Sequence, residues 1–450
     1  MKLLSSGNIY KNFIFMAIPL ILSGLLSQAF NMIDMMIVGK MIGENAVAAL
    51  GATSSLIEVV SSAFWGFGTG SALYIAVLYG KGDRQKLTNT VKFTLMAYFV
   101  LAIAVGAALI LFREPIFRYL CVDEAIYRDA MIYYIIYVAS LEVIVFNCCA
   151  CYILHSLGNS LFPLIMSIIS SVINVAGNVI FVIFTPLGVS GVALATTLSA
   201  IITTILYIIK FKKIFSELGC IRQKLFLDET AIKECLRYGI PCMLQQMSMY
   251  ISSLAVSPMV NILGSTATAG YTVGMRVYSI NSSVYQNSSK CVSNYSAQCM
   301  GAKQYDKIGQ GIKAGLLQAI AFSLPFALVC CIFPEQIVSI FFKEGSSAES
   351  IKIACMFMSH CLPFIIFGIF NNLFHSLFKG VKAMKSVLVS TVIYTIARII
   401  ASYILAPRYG MAGIYTALSI AWIAETVVIC VIYFTGIWKS KELKEQSRIA

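Results

Sequence analysis

The run Phe13–Val38, FIFMAIPLILSGLLSQAFNMIDMMIV, decides the fold. It carries one charge, Asp34, and exceeds the ~20 residues that a helix needs to cross a bilayer. A carboxylate inside such a span costs roughly 2.5–3.5 kcal/mol on insertion scales, so it belongs beside a partner, a cavity or an ion path. Ser27, Asn31 and Asp34 recur at i, i+4 and i+7, which places them on one helix face.

The rest of the chain has the same character. It is 59% hydrophobic and 12% charged, against about 25% charged in soluble domains, which makes it an integral membrane protein. A net charge of +13 could suit nucleic acid, but the Lys and Arg excess lies in short loops between apolar runs, so no nucleic-acid partner is expected. Most of the cysteines lie in apolar segments (Cys148, Cys149, Cys151, Cys330, Cys331) and read as small hydrophobes with free thiols, with no metal site. Lys2 and Lys11 ahead of the first run imitate a signal peptide. The run is longer than the usual ~7–15-residue core of one, and its pattern recurs near residue 240, so it is expected to stay.

Apolar segments fall at 13–38, 47–79, 88–111, 130–154, 161–184, 189–209, 238–263, 267–299, 308–333, 353–378, 384–405 and 411–436. Twelve membrane helices are therefore predicted, with bends at Pro19, Pro241, Pro325 and Pro363. Of the Lys and Arg flanking them, twenty-one lie on one side and six on the other. The basic side is the cytoplasmic one, which places both termini there.

The halves repeat. Ile18-Pro19 matches Ile240-Pro241, Gly80 and Lys86 match Gly301 and Lys307, and Phe112 with Glu114 matches Phe333 with Glu335. His155-Ser156-Leu157 matches His375-Ser376-Leu377, and Pro186, Gly188 and Gly191 match Pro407, Gly410 and Gly413, always at an offset of 220 to 222. Six spans per half is an even number, so the repeats run parallel about an axis along the membrane normal. The expected division is a six-helix bundle over 1–209, a basic cytoplasmic linker over 210–237, a second bundle over 238–436 and a tail over 437–450.

Two such bundles imply a transporter with a central cleft and sites near the midplane. No HExxH, GxSxG or Walker A pattern is present, so an enzyme is not expected, and no segment is long enough for a nucleotide-driven motor domain. Within the spans, Asn174 and Asn178 share a face of segment five and either line a cation site or join helices by hydrogen bonds. Segment eight bears a polar stripe, Arg276, Ser279, Ser283, Gln286, Lys290 and Ser293, which reads as the wall of a wet cavity. Segment seven adds Gln245 and Gln246. Glu58 and Glu142 are secondary candidates for proton handling or for binding a cationic substrate, whereas Glu425 is expected to pair with Arg398. His155 and His375 read as helix-end hydrogen-bonding groups.

The stretches IPLILSGLLSQAFNMIDMMIVGKMIG, GFGTGSALYIAVLYGKGDRQK, LHSLGNSLFPLIMSIISSVINVAGNVIF with TPLGVSGVALATT, and GIPCMLQQ together resemble the multidrug and toxic compound extrusion (MATE) transporters over nearly the whole chain. The resemblance implies an antiporter of the plasma membrane that expels organic, often cationic, compounds against protons or sodium. It implies no cofactor beyond that ion, and membrane lipid as the surroundings of an expected monomer. It makes Asp34 the coupling carboxylate, with Asn174, Asn178 and Thr196 as cation-site groups, and leaves Asn31, Gln245, Gln246, Arg276, Gln286 and Lys290 along the substrate path. The chain departs from the family pattern where Asn178 replaces a common Asp, where Gln245 or Gln246 replaces a Glu, and where Asn371 or Asn372 replaces an acid. Arg276 and Lys290 add positive charge to the path. The alternatives are a lipid-linked oligosaccharide flippase of the same superfamily, or a channel in which Asp34 is structural.

Overall fold

The structure is a computed structural model that describes residues 4, 7–42, 44–119, 124–185, 187–219, 228–342, 347–439 and 443. The side chains of Asn31 and Asp34 lie outside the described residues, as do Arg222 and Lys224.

The described chain is helical. The first half comprises α1 (Ile9–Met41), α2 (Glu44–Lys81), α3 (Arg84–Leu111), the short α4 (Arg113–Tyr119), α5 (Glu124–Ala139), α6 (Leu141–Ser156), α7 (Leu161–Ile183) and α8 (Val189–Glu217). The second comprises α9 (Glu229–Ile262), α10 (Ser265–Gly301), α11 (Ile308–Ile332), the short α12 (Pro334–Ser339), α13 (Ala348–His360), α14 (Ile365–Gly380) and α15 (Met384–Phe434).

Several expected spans are bent or joined. The fourth span is α5 and α6, bent by 50° at Ser140, whose hydroxyl donates to the Tyr137 carbonyl. The tenth is α13 and α14, broken by a 3-10 turn at Leu362–Phe364, where Pro363 cannot donate to the helix ladder. The last two are the arms of α15, which meets non-helical backbone at Gly410 (φ 58°, ψ −134°). Twelve spans in two sets of six result, as the sequence predicts.

By length and hydropathy alone seven helices could cross a membrane, or eight with α5 and α6 taken as one bent span. α15 supplies two arms at once. α2, α9 and α10 fall short of that test because each carries many Ser, Asn, Gln or Gly residues. Such residues suit a helix that faces protein or water rather than lipid.

The chain divides into two compact units, Leu22–Gly239 and Lys2–Ile21 with Ile240–Ala450. In the first unit α7 packs on α8, α2 on α5 and α6, and α3 on α6. Phe117 and Tyr134 meet edge to face at 5.3 Å in one of its apolar clusters. In the second, α10 packs on α11, α13 and α14, and α14 packs on α15 around Tyr285, Phe357, Ile369 and Trp422.

The beginning of α1 belongs with the second unit, not the first. Phe13 meets Tyr295 edge-on at 5.2 Å, and the Leu4 N–H donates to Gln298 Oε1 at 2.9 Å. Helix also occupies both ends of the 210–237 stretch read as a linker, because α8 continues to Glu217 and α9 begins at Glu229. Asp228 caps α9 by accepting from the N–H groups of Thr230 (3.0 Å) and Ala231 (3.2 Å), and it pairs with Lys86 at 3.3 Å. None of the cysteines among the described residues forms a disulfide.

Candidate ion-coupling site

A polar cavity of about 350 Å³ opens within the first unit between α1, α6, α7 and α8. Ser27 of α1, Asn147 of α6, Asn174 of α7 and Thr196 of α8 are in its wall. One face of α7 supplies Ser167, Ser170, Ser171 and Asn174, at i, i+3, i+4 and i+7. That spacing stacks side chains on one side of a helix.

The three cation-site candidates of this unit form one relay. The buried Asn178 amide donates to Asn174 Oδ1 (3.2 Å), and the Asn174 amide donates to Thr196 Oγ1 (3.0 Å). The Thr196 hydroxyl donates to the Val192 carbonyl at 3.1 Å. Each link fixes the orientation of the next, and Asn174 and Thr196 present oxygen-bearing groups to the cavity. Asp34 lies seven residues beyond Ser27 along α1, and its backbone is helical. Hard oxygen ligands are what a sodium ion or a hydrated proton requires.

The cavity lining also contains groups that sequence reasoning missed. Asn147 donates to the Ala200 carbonyl and to Thr203 Oγ1, both at 2.9 Å, and accepts from the Thr204 hydroxyl at 2.9 Å. The signal was present: a lone Asn in the apolar α6 needs partners, and Thr203-Thr204 on α8 supply them. Glu58 and Glu142 are not in this wall. Glu58 is exposed on α2, and Glu142 sits in the first turn of α6, where unpaired backbone N–H groups suit a carboxylate.

Cys148 and Cys151 stand three apart on α6, and Cys151 Sγ lies 3.7 Å from His155 Nε2. Among the described residues no three His, Cys, Asp or Glu side chains gather as a metal set.

In the second unit, Arg276, Ser279, Ser283, Gln286 and Lys290 are the half-buried face of α10, whereas Ser288, Ser289 and Ser293 are buried. Lys290 Nζ donates to Asn287 Oδ1 at 2.9 Å, and the Asn287 amide donates to the Ser283 carbonyl at 2.7 Å. Gln246 is half-buried, but Gln245 is buried and hydrogen-bonded to His375 at 2.8 Å, away from the stripe's ladder. The expected Glu425–Arg398 pair does not form. Glu425 accepts from the Asn371 amide at 2.9 Å and lies 3.3 Å from His375 Nε2, whereas Arg398 donates to the Tyr394 hydroxyl at 3.5 Å. The two charges face different neighbours, a rotational fact that opposite charge alone does not reveal.

Two repeats of six spans, each opening on a proline-bearing helix and holding polar side chains inside its spans, define a multi-pass membrane transporter. The chain belongs to the MatE family, whose model matches residues 19–180 and 241–404, one copy in each half. It is 26% identical to the probable multidrug resistance protein YoeA of Bacillus subtilis, over 98% of this chain and 96% of that protein. Its fold matches a MOP superfamily transporter from Pyrococcus furiosus with a TM-score of 0.88, at 20% identity over 97% of each chain. It matches a multidrug resistance MATE family transporter in an outward-facing conformation equally well, with a TM-score of 0.88 at 19% identity over 98% of this chain and 97% of the other. Members of this family are transporters, not enzymes.

Proposed function

We infer that the protein is a secondary active antiporter that exports organic compounds in exchange for H⁺ or Na⁺ by alternating access. The observation that carries this reading is the Asn178–Asn174–Thr196 relay beside a polar cavity, on spans that share the first unit with Asp34. Loading Asp34 with a proton or a sodium ion changes the hydrogen bonds it can make, and so favours one orientation of the transporter over the other. Only an ion with different affinity for the two states can drive that shift. The multidrug role named for YoeA supports an organic cargo. Arg276 and Lys290 on α10 argue against a strictly cationic one. The excess of Lys and Arg on one side supports a plasma-membrane protein with both termini in the cytoplasm.

The flippase alternative, which extra spans would favour, is not adopted for a chain of twelve. The test is efflux from proteoliposomes under separately imposed proton and sodium gradients. Uphill export driven by one of them supports the antiporter, and export only down the cargo's own gradient overturns it.

A further inference from the structure

The second unit holds a buried polar network that the reading above leaves unused. Glu425 on α15 is 6% exposed, and His375 and Asn371 on α14 are 6% and 3% exposed. Glu425 Oε2 accepts from the Asn371 amide at 2.9 Å, and Asn371 Oδ1 accepts from the Thr426 hydroxyl at 2.7 Å. Glu425 Oε1 lies 3.3 Å from His375 Nε2, which is also 2.8 Å from Ser390 Oγ. A charged or chargeable group this deep in a membrane protein is costly and is a functional candidate by default.

The hydrogen bonds assign the tautomer. The Ser390 hydroxyl already donates to the Ser386 and Val387 carbonyls, so it accepts from His375 Nε2–H. His375 Nδ1 lies 2.8 Å from Gln245 Nε2, an amide nitrogen that only donates, so Nδ1 accepts. Gln245 Oε1 is buried with no hydrogen-bond partner. It is the acceptor that a protonated Nδ1 would need, and a half-turn of the amide delivers it.

The first unit shows that this place needs no acid to hold its helices together. The repeat offset of 220 carries Asn371 and His375 to Cys151 and His155, and the offset of 222 carries Glu425 and Thr426 to Thr203 and Thr204. There Thr203 and Thr204 join Asn147 in a neutral hydroxyl–amide network between the same helices of the repeat. Neutral groups serve that structural purpose, so the carboxylate of the second unit has another one.

We propose that Glu425 and His375 form a proton-binding site of the second unit, which takes up one proton and reports its loading to α9 through Gln245. In the unloaded site the pair shares a single proton, on His375 Nε2, and Glu425 is a carboxylate. A proton that enters at His375 Nδ1 leaves either a carboxylate beside an imidazolium or, when the Nε2 proton passes on to Glu425 Oε1 3.3 Å away, a carboxyl group beside a neutral imidazole protonated at Nδ1. In both products Nδ1 turns from acceptor to donor, and the Gln245 amide must rotate to offer Oε1. The other titratable groups around the pair are Lys379 on α14, Cys242 on α9, Tyr278 and Tyr285 on α10, and Tyr394 with Arg398 on the first arm of α15.

This inference stands apart from the role given to Asp34, and its test needs no transport. The chain has three histidines, so ¹⁵N-histidine spectra of the full protein in nanodiscs can be assigned by single substitution. In wild type the His375 signal passes from the Nε2–H tautomer to an Nδ1-protonated form as pH is lowered across the range in which the protein stays folded. Asp34→Asn keeps that transition. Glu425→Gln, which can still accept from Asn371, loses it from the range while its thermal unfolding stays near wild type. A His375 that holds Nδ1 unprotonated throughout in wild type, or a transition unchanged by Glu425→Gln, overturns the proposal. Should Glu425→Gln not fold, the wild-type titration decides alone.

Discussion

Gly188 and Gly410 hold the same backbone conformation at equivalent places in the two halves, with φ 50° and ψ −124° in one and φ 58° and ψ −134° in the other. Gly188 is the residue from which α8 starts, and Gly410 is the break between the two arms of α15. This region of backbone space is nearly closed to side-chain-bearing residues, and a forced occupant costs about 1–3 kcal/mol. Gly188→Ala and Gly410→Ala should each lower the thermal unfolding temperature in detergent. Gly309→Ala, inside α11 with open space around it, should leave it unchanged or raise it. Equal melting for all three variants would remove strain as the reason for these glycines.

Asp34→Asn should reduce gradient-driven efflux to passive leak while substrate still binds. Ligand-induced stabilisation of the purified protein separates the two, because binding raises its melting temperature even where transport has stopped. Full uphill export by the variant would strip Asp34 of its coupling role.

Thr196 offers a sharper probe of the relay. Thr196→Ser keeps the hydroxyl that accepts from Asn174, whereas Thr196→Val removes that acceptor at nearly the same volume. The valine variant should need several-fold more coupling ion for half-maximal efflux, and the serine variant should match wild type. Identical ion dependence in both would make the relay scaffolding only.

Asp228 gives a pH dependence outside the membrane. Partial burial works against its charge, but the Ala231 N–H, the Lys86 ammonium and the Thr230 N–H outweigh it and hold the carboxyl below its ordinary value. With the folded value depressed, its stabilisation is complete above the unfolded value of about 3.9 and disappears as pH falls through the folded one. Asp228→Ala should cost about 1 kcal/mol as a lost helix cap near neutral pH, and nothing at the acid limit. Melting curves of the two proteins should therefore converge on acidification.

Much of this architecture was legible in the sequence because bilayer thickness sets a minimum span length and parallel repeats keep register. Pro186 with Gly188 and Pro407 with Gly410 marked both helix breaks. Single-residue features of one face were legible too, as for Asn174 and Asn178. Partner choice across helices was not. Glu425 had an opposite charge available in Arg398, yet helix rotation turns it to Asn371 and His375, whose part in the network pairwise charge matching does not disclose. Asn147 is marked only by being a lone amide in an apolar helix, which shows that it needs partners but, having no periodicity, not which ones.

The positions of Asp34, Val256, Thr203 and Glu425 have a further consequence. Val256, which the repeat aligns with Asp34, is fully buried, and Thr203 stands where Glu425 does. A six-helix half thus has two addresses at which an acid can be installed, one on its first helix and one on its last. This chain occupies the first address in one half and the last in the other. Moving an acid from one half to the other takes two substitutions, one at each aligned position, and no change in the helices that carry them.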